Sequence, residues 1–382
     1  MKQVYLDHAA TAPIHQAVLD SMLPVMREDF GNPSSIHGFG RKTRHLVDEA
    51  RHVAAMSIGA KETEIIFTSG GTESDNLAIL GVARANQSRG KHIITTKIEH
   101  HAVLHTCEQL EREGFEVTFL PVDEQGQISL DDLKEALTEQ TILVTIMFGN
   151  NEVGTVQPIR EIGEMLREHP AYFHTDAVQA FGLLPINVDE LGIDFLSISA
   201  HKINGPKGVG FLYARSGANF STLTYGGEQE RKRRAGTENV AGVVGLKTAI
   251  ELSTEQAGEK VALYQKFKDS MLQVWQDEEV RFELNSSAEE TLPHVMNVYF
   301  PGTNVESLLV NLDLAGVAVS SGSACTAGSI DPSHVLVAMF GKDSDRIASS
   351  IRFSFGLGNS MEDIIYAAKE TAKVVKRLTR KK

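Results

Sequence analysis

A lysine, an aspartate and a pair of glycines stand at comparable places in three separate stretches of the chain. Ser199-Ala200-His201-Lys202 closes a β-rich run, Phe195–Ser199, and enters Gly205-Pro206-Lys207-Gly208. A lysine amine attacks aldehydes once burial or nearby cations hold it unprotonated. The plainer reading is a lysine on a surface loop. Asp176-Ala177-Val178-Gln179 follows another such run, Tyr172–Thr175. A carboxylate there can pair with a protonated ring nitrogen, or simply cap a helix. Ser69-Gly70-Gly71-Thr72-Glu73-Ser74 follows a third run and opens a helical pattern. Glycine lets backbone come close to a ligand, and the N–H groups of a helix start bind phosphate. Its plainer reading is a glycine turn with Thr72 as the helix N-cap.

No G-x-x-x-x-G-K-[ST] occurs, nor a G-x-G-x-x-G opening a βαβ unit, which argues against nucleotide and dinucleotide sites. A phosphate cradle, an amine for an aldehyde and a carboxylate for a pyridine nitrogen together suit pyridoxal phosphate. Glu99-His100-His101 follows the run His92–Thr95, and His105 lies four residues beyond His101. His100, first off the strand, can stack on a pyridine ring and exchange protons near neutral pH. His101 and His105 share a helix face, but no Cys, Asp or Glu at suitable spacing completes a metal site, and none is expected.

Ser320–Ser329 is small, polar and glycine-rich, the composition of a mobile loop, and it presents Cys325 as the reactive thiol. Cys107 falls on an apolar stripe with Val103, Leu104 and Leu110 and reads as a core residue. Arg231-Lys232-Arg233-Arg234 offers a surface for tRNA or an acidic partner, although a solvated face is the simpler account.

The elements that must position these residues alternate. Strands are predicted at Glu64–Thr68, His92–Thr95, Glu116–Leu120, Ile142–Phe148, Tyr172–Thr175, Phe195–Ser199 and Gly208–Ala214. Amphipathic runs lie between them at Glu73–Ala85, Ala102–Glu113, Leu130–Leu137 and Ile159–Glu168. That order predicts an α/β fold with a mostly parallel seven-stranded sheet flanked by helices. Beyond Gly245 a long helical pattern runs to Trp275. An α+β remainder follows, with Val295–Tyr299 and Ile351–Ser354 as strands and Val305–Leu312 and a run from Met361 as helices. Two domains are expected from 382 residues: 15–255, and 1–14 with 256–382. Thirty-seven Lys+Arg against 50 Asp+Glu give a net charge of −13, which disfavours direct nucleic-acid binding. No apolar stretch reaches membrane-spanning length, no signal peptide is evident, and two cysteines fit a reducing cytoplasm.

Taken together, these motifs resemble the cysteine desulfurases, NifS-like pyridoxal-phosphate enzymes of aminotransferase fold type I. The resemblance runs through Tyr5–Thr11, Phe30–Ser35, Thr68–Asn76, Glu99-His100, Asn150-Asn151-Glu152, Asp176–Gln179, His201-Lys202 and Ser320–Thr326. The long cysteine loop is similar to that of the first desulfurase group. The resemblance implies Lys202 as the Schiff-base lysine and Cα base, and Asp176 as partner of the pyridinium. Gln179 would serve the phenolic oxygen, and His100 would stack on the ring. Gly71, Thr72, Ser199 and His201 would contact phosphate, with Thr237 arriving from the second subunit of a homodimer. Arg352 would clamp the substrate carboxylate, with Asn151 close to cofactor and substrate, and Cys325 would carry persulfide from L-cysteine. The sulfur acceptor is expected to be a tRNA 2-thiouridine sulfurtransferase, to which similarity with Gram-positive-type relatives points, or an iron–sulfur scaffold. The rival readings are a selenocysteine lyase or aminotransferase of the same fold, and a non-catalytic tRNA-binding scaffold.

Overall fold

The computed structural model describes residues 2–287, 290–321 and 332–380. Seven short strands form one sheet: β1 (Ile65–Thr68), β2 (His92–Thr96), β3 (Glu116–Leu120), β4 (Thr141–Thr145), β5 (Tyr172–Asp176), β6 (Phe195–Ser199) and β7 (Gly210–Ala214). Their order is β1-β7-β6-β5-β4-β2-β3. Only β7 runs antiparallel to its neighbours, so the carboxyl ends of the other six share one edge. Every residue of β1, β2, β4, β6 and β7 is buried, as expected where helices cover both faces of a sheet. The edge strand β3 alone begins exposed.

Three local expectations are corrected. The helix after β1 spans Gly71–Asn86, and its N-cap is Gly70, not Thr72. Gly70 has φ 142°, a backbone that side chains with a Cβ rarely adopt. Thr72 therefore sits inside the first turn, next to the pocket. The long helical pattern beyond Gly245 is two helices, Val240–Glu255 and Ala257–Asp277, broken at Gln256. The predicted strand Ile142–Phe148 ends its regular ladder at Thr145, yet the Ile146 and Phe148 N–H groups still donate to His174 and Asp176 carbonyls.

A second hydrophobic cluster gathers residues from the two ends of the chain, including Val4, Leu6, Phe267, Trp275, Phe300, Phe353 and Val375. Strands β8 (Glu283–Leu284), β9 (Val295–Tyr299) and β10 (Ser350–Ser354) form an antiparallel sheet there, in the order β10-β9-β8. The helix Met361–Thr379 covers it. Ser360 and Asp363 form its capping box, and Ile364, Ala367, Ala368, Thr371 and Val375 supply the buried stripe at helical spacing. The fully buried Trp275 ties the helix down through Nε1–H to the Ala368 carbonyl at 3.0 Å. Val4–Tyr5 pairs with Val317–Ala318, so the amino-terminal segment joins this cluster before passing over the sheet edge. Among the described residues no helix is long and apolar enough to cross a membrane.

Candidate active site

A pocket of about 370 Å³ opens at the carboxyl edge of the large sheet, where open α/β sheets bind ligands. Gly71, Thr72, His100, Asn151, Asp176, Gln179, Ser199, His201, Lys202 and Arg352 all line it. Those from Gly71 to Lys202 meet because β1, β2, β4, β5 and β6 end on the same edge, and Arg352 joins them from β10 in the smaller sheet. Thr237 is exposed and does not line this pocket. Cys325 lies outside the described residues, as does the rest of the loop from Gly322 to Asp331.

Lys202 ends a single 3-10 turn leaving β6, and its Nζ donates to the Ala9 carbonyl and, at 2.7 Å, to that of Ala10. Asp176 is the last residue of β5, and its Oδ1 accepts the Val178 N–H at 2.9 Å. Burial pushes the Asp176 carboxyl up to about 6, against the pull of the Val178 N–H and the Lys202 charge. Asp75, on the helix above, is also raised by burial and by the charges of Asp176 and Glu99. Burial brings Glu99 up to about 8 despite the Met147 N–H and the Thr96 hydroxyl at its Oε1. His174, 3.6 Å from Asp75, is held down to about 3 by burial and stays neutral. Three buried acids thus stand close together with little positive charge among them.

His100 does two jobs that the sequence did not separate. Its Nδ1 accepts the Ala102 N–H at 3.1 Å and so caps the helix His101–Arg112. With Nδ1 an acceptor, a neutral ring carries its proton on Nε2. Burial first, then the charges of Lys202 and three neighbouring histidines, lowers its pKa to about 4. The expectation of proton exchange near neutral pH is corrected accordingly: in the cofactor-free chain His100 is an uncharged N–H donor. His201 is lowered to about 4 for the same leading reason, with Thr11 Oγ1 3.1 Å from its Nδ1. Arg352, in the middle of β10, is buried. Its Nη2 meets Asp7 Oδ1 at 2.7 Å, and its Nη1 donates to the Asn151 carbonyl at 3.0 Å. Its Nε has no hydrogen-bond partner among the described residues.

Asp7, Ala9, Ala10 and Asp75 escaped the sequence reading as site residues. The segment Tyr5–Thr11 stood out there as a motif without a role. Asp75, four residues beyond Gly71 in the first turns of the helix Gly71–Asn86, was the signal that could have been used. Cys107 packs with Val103 and Leu110, and burial pushes its thiol far up, which leaves it unreactive. The basic run is not simply solvated. Arg234 pairs with Glu73 at 2.7 Å, and Arg231 and Arg233 donate to the carbonyls of Glu62 and Thr63. His101 and His105 stack at 4.9 Å, and His334 lies 4.7 Å from His101, beside the pocket rather than in it.

Pyridoxal phosphate fits this chemistry. A protonated ring nitrogen would supply the positive charge that Asp176 lacks. At the helix start that would cradle a phosphate, Gly71 leaves space that a Cβ could not share, since it would meet Val178 Cγ2 at 2.9 Å. An open sheet that brings an amine, a buried acid and a helix start to one pocket defines an enzyme built around this cofactor. The chain belongs to the aminotransferase class-V family, whose model matches residues 4–366.

Within that family the likeness narrows to cysteine desulfurases, a pyridoxal-phosphate-dependent class. A putative cysteine desulfurase IscS 1 of Bacillus subtilis strain 168 is 65% identical over 379 residues, covering 99% of this chain and 100% of that protein. The cysteine desulfurase IscS of Dictyoglomus turgidum is 50% identical over 377 residues, covering 99% and 95%. A solved NifS-like protein superposes with a TM-score of 0.92 at 36% identity, over 98% of this chain and 100% of that one. SspA in complex with cysteine superposes with a TM-score of 0.80 at 38% identity, over 93% and 99%.

Proposed function

We propose that this chain converts L-cysteine to L-alanine and takes the sulfur on Cys325 as a persulfide. The observation that carries the reading is the meeting of Lys202, Asp176 and Arg352 in one pocket on a cysteine-desulfurase fold. Pyridoxal phosphate, when bound, would draw off the electron pair left at the substrate Cα and so make that proton acidic. Lys202 would hold the cofactor aldehyde, and its amine would remove the substrate Cα proton. Asp176 would stay ionised beside the ring nitrogen. The helix start at Gly71 and Thr72, with Ser199 and His201, would hold the phosphate. Arg352 offers its guanidinium to the substrate carboxylate, in exchange with Asp7, which occupies one arm in its absence. The uncharged His100 would lie beside the cofactor ring and keep an N–H for the reacting groups. The Cys325 thiolate attacks the substrate sulfur: an S–S bond forms, the C–S bond breaks, and the electron pair returns to the carbon that becomes the alanine methyl.

The same reading includes a homodimer, with Thr237 reaching the partner's phosphate, and a cytoplasmic location. It also takes 15–255 as a cofactor domain and 1–14 with 256–382 as a smaller one. The exposed Thr237 and the separate cluster around Trp275 support these parts. Delivery goes to a tRNA 2-thiouridine sulfurtransferase or an iron–sulfur scaffold, which transfer of labelled sulfur to each would distinguish. The test of the chemistry is a pair of serine variants. Cys325→Ser should change the cofactor's spectrum with L-cysteine but give almost no alanine and no protein-bound persulfide. Cys107→Ser should keep both products. Persulfide that survives in the first variant and vanishes in the second would falsify the assignment.

A further inference from the structure

Gln179 can present either end of its amide to the pocket, and its two neighbours decide which. Its Nε2 donates to the Ala9 carbonyl at 3.0 Å, and its Oε1 lies 3.0 Å from His294 Nε2. Ala9 offers only an acceptor, so the nitrogen must face it; the reverse orientation would set two oxygens against each other. The oxygen then faces His294, which must donate from Nε2. Its Nδ1 is correspondingly bare and has no hydrogen-bond partner among the described residues. One N–H of Gln179 is taken by Ala9, and the second remains for the pocket that Gln179 lines.

From this geometry we infer that His294 is a positioning residue that, together with the Ala9 carbonyl, keeps the Gln179 amide nitrogen toward the cofactor. The inference rests on the reading of the pocket as a pyridoxal-phosphate site. His294 comes from the far side of the chain, 115 residues away, just before β9. Its backbone carbonyl accepts the Phe355 N–H at 2.9 Å, and Lys268 Nζ donates to the nearby Leu292 carbonyl at 2.7 Å. Burial foremost, and then the charges of Lys268, His8, Lys202 and Arg352, oppose protonation of the ring, so it stays neutral with one proton to place. That proton adds to the Ala9 carbonyl in holding Gln179 as a donor. A donor aimed at the cofactor's phenolic oxygen favours its ionised form. A flipped amide would set a lone pair there instead.

The test uses the purified full chain with and without added pyridoxal phosphate. His294→Phe removes the donor, His294→Gln restores one near the Nε2 position, and each is also made in a Gln179→Ala background. The first readout is the pH midpoint of the cofactor's visible absorbance. The second is cofactor affinity from titration of the cofactor-free protein. His294→Phe should raise the midpoint by about one pH unit, a tenfold change in proton affinity, and weaken binding roughly fivefold. His294→Gln should recover most of both. In the Gln179→Ala background, His294→Phe should change neither, because its effect passes through the amide. A midpoint equal to wild type in His294→Phe overturns the inference, as does an equal shift in both backgrounds. If His294→Phe fails to fold, His294→Asn, whose amide is too short to reach, replaces it under the same criteria. A wild-type chain that takes up no cofactor overturns the reading of the pocket, and this inference with it.

Discussion

Asp176 is a residue whose local energetics oppose the stability of the cofactor-free chain. Its folded pKa of about 6 stands above the ordinary 3.8 because burial penalises the charged form. Between those values the unfolded chain has shed its proton and the folded chain has not, so stability falls as pH rises through that window. Above it, an ionised carboxylate stays buried near Asp75 with only Lys202 and the Val178 N–H to favour it. Asp176→Asn should therefore raise the melting temperature of the cofactor-free protein at pH 7, and the gain should vanish below about pH 4. Saturating pyridoxal phosphate should reverse the order, since asparagine cannot neutralise a protonated ring nitrogen. Equal melting temperatures at pH 7 would show that burial of this charge is relieved elsewhere.

Two elements depend on a few polar side-chain contacts. His100 caps the helix His101–Arg112 and lines the pocket, so cap and site can be separated by choice of substitution. His100→Asn keeps a capping oxygen and should melt within about 0.5 kcal/mol of wild type, whereas His100→Ala should lose about 1 kcal/mol. Both remove the ring donor and should lower alanine formation by about 10²-fold. Full turnover in His100→Asn would remove the ring from the chemistry. The second contact joins Arg51, on the helix Gly38–Met56, to Glu230 through a bidentate pair at 2.7 Å, with the Phe67 N–H of β1 also donating to Glu230. That pair pins Glu230, Arg231 and Lys232, three consecutive residues with φ of 46°, 56° and 67°. Arg51→Met leaves a carboxylate buried without its partner and should cost about 3–5 kcal/mol. Adding Glu230→Gln should recover most of it. Urea denaturation measures both, and two independent, additive losses would argue against a coupled pair.

At the level of the assembled molecule, the surface carries a feature that one copy of the chain does not use. Phe30, Ile36 and Phe39 are 76%, 91% and 60% exposed, and the two phenylalanine rings stack at 5.5 Å. Such a concentration of apolar side chains on one segment suits contact with a second copy, as the proposed homodimer requires. Phe39→Asp combined with Ile36→Asp should shift the protein toward monomer in sedimentation at micromolar concentration. With Thr237 then kept from the partner's pocket, cofactor affinity should fall as well. A dimer that persists unchanged in the double variant would place the interface on another face.

What the amino-acid order determines by itself is local. Parallel strands covered on both faces read as short apolar runs, and helices between them read as 3.6-residue stripes, so the large sheet was legible strand by strand. Lys202, Asp176 and Gly71 were legible too, because each lies at or just beyond the carboxyl end of a strand, and strand ends form ligand pockets. What only the tertiary structure decides is which polar group meets which. Asp7 and Arg352 stand 345 positions apart, and no periodicity connects them. The capping of a helix by His100 consumes one ring nitrogen, and burial removes its expected titration near neutrality. The amide oxygen of Gln179 meets a histidine 115 positions away, just before β9. Hydrogen-bond pairing and desolvation depend on distance in space, and chain order constrains that distance only once the whole core has closed.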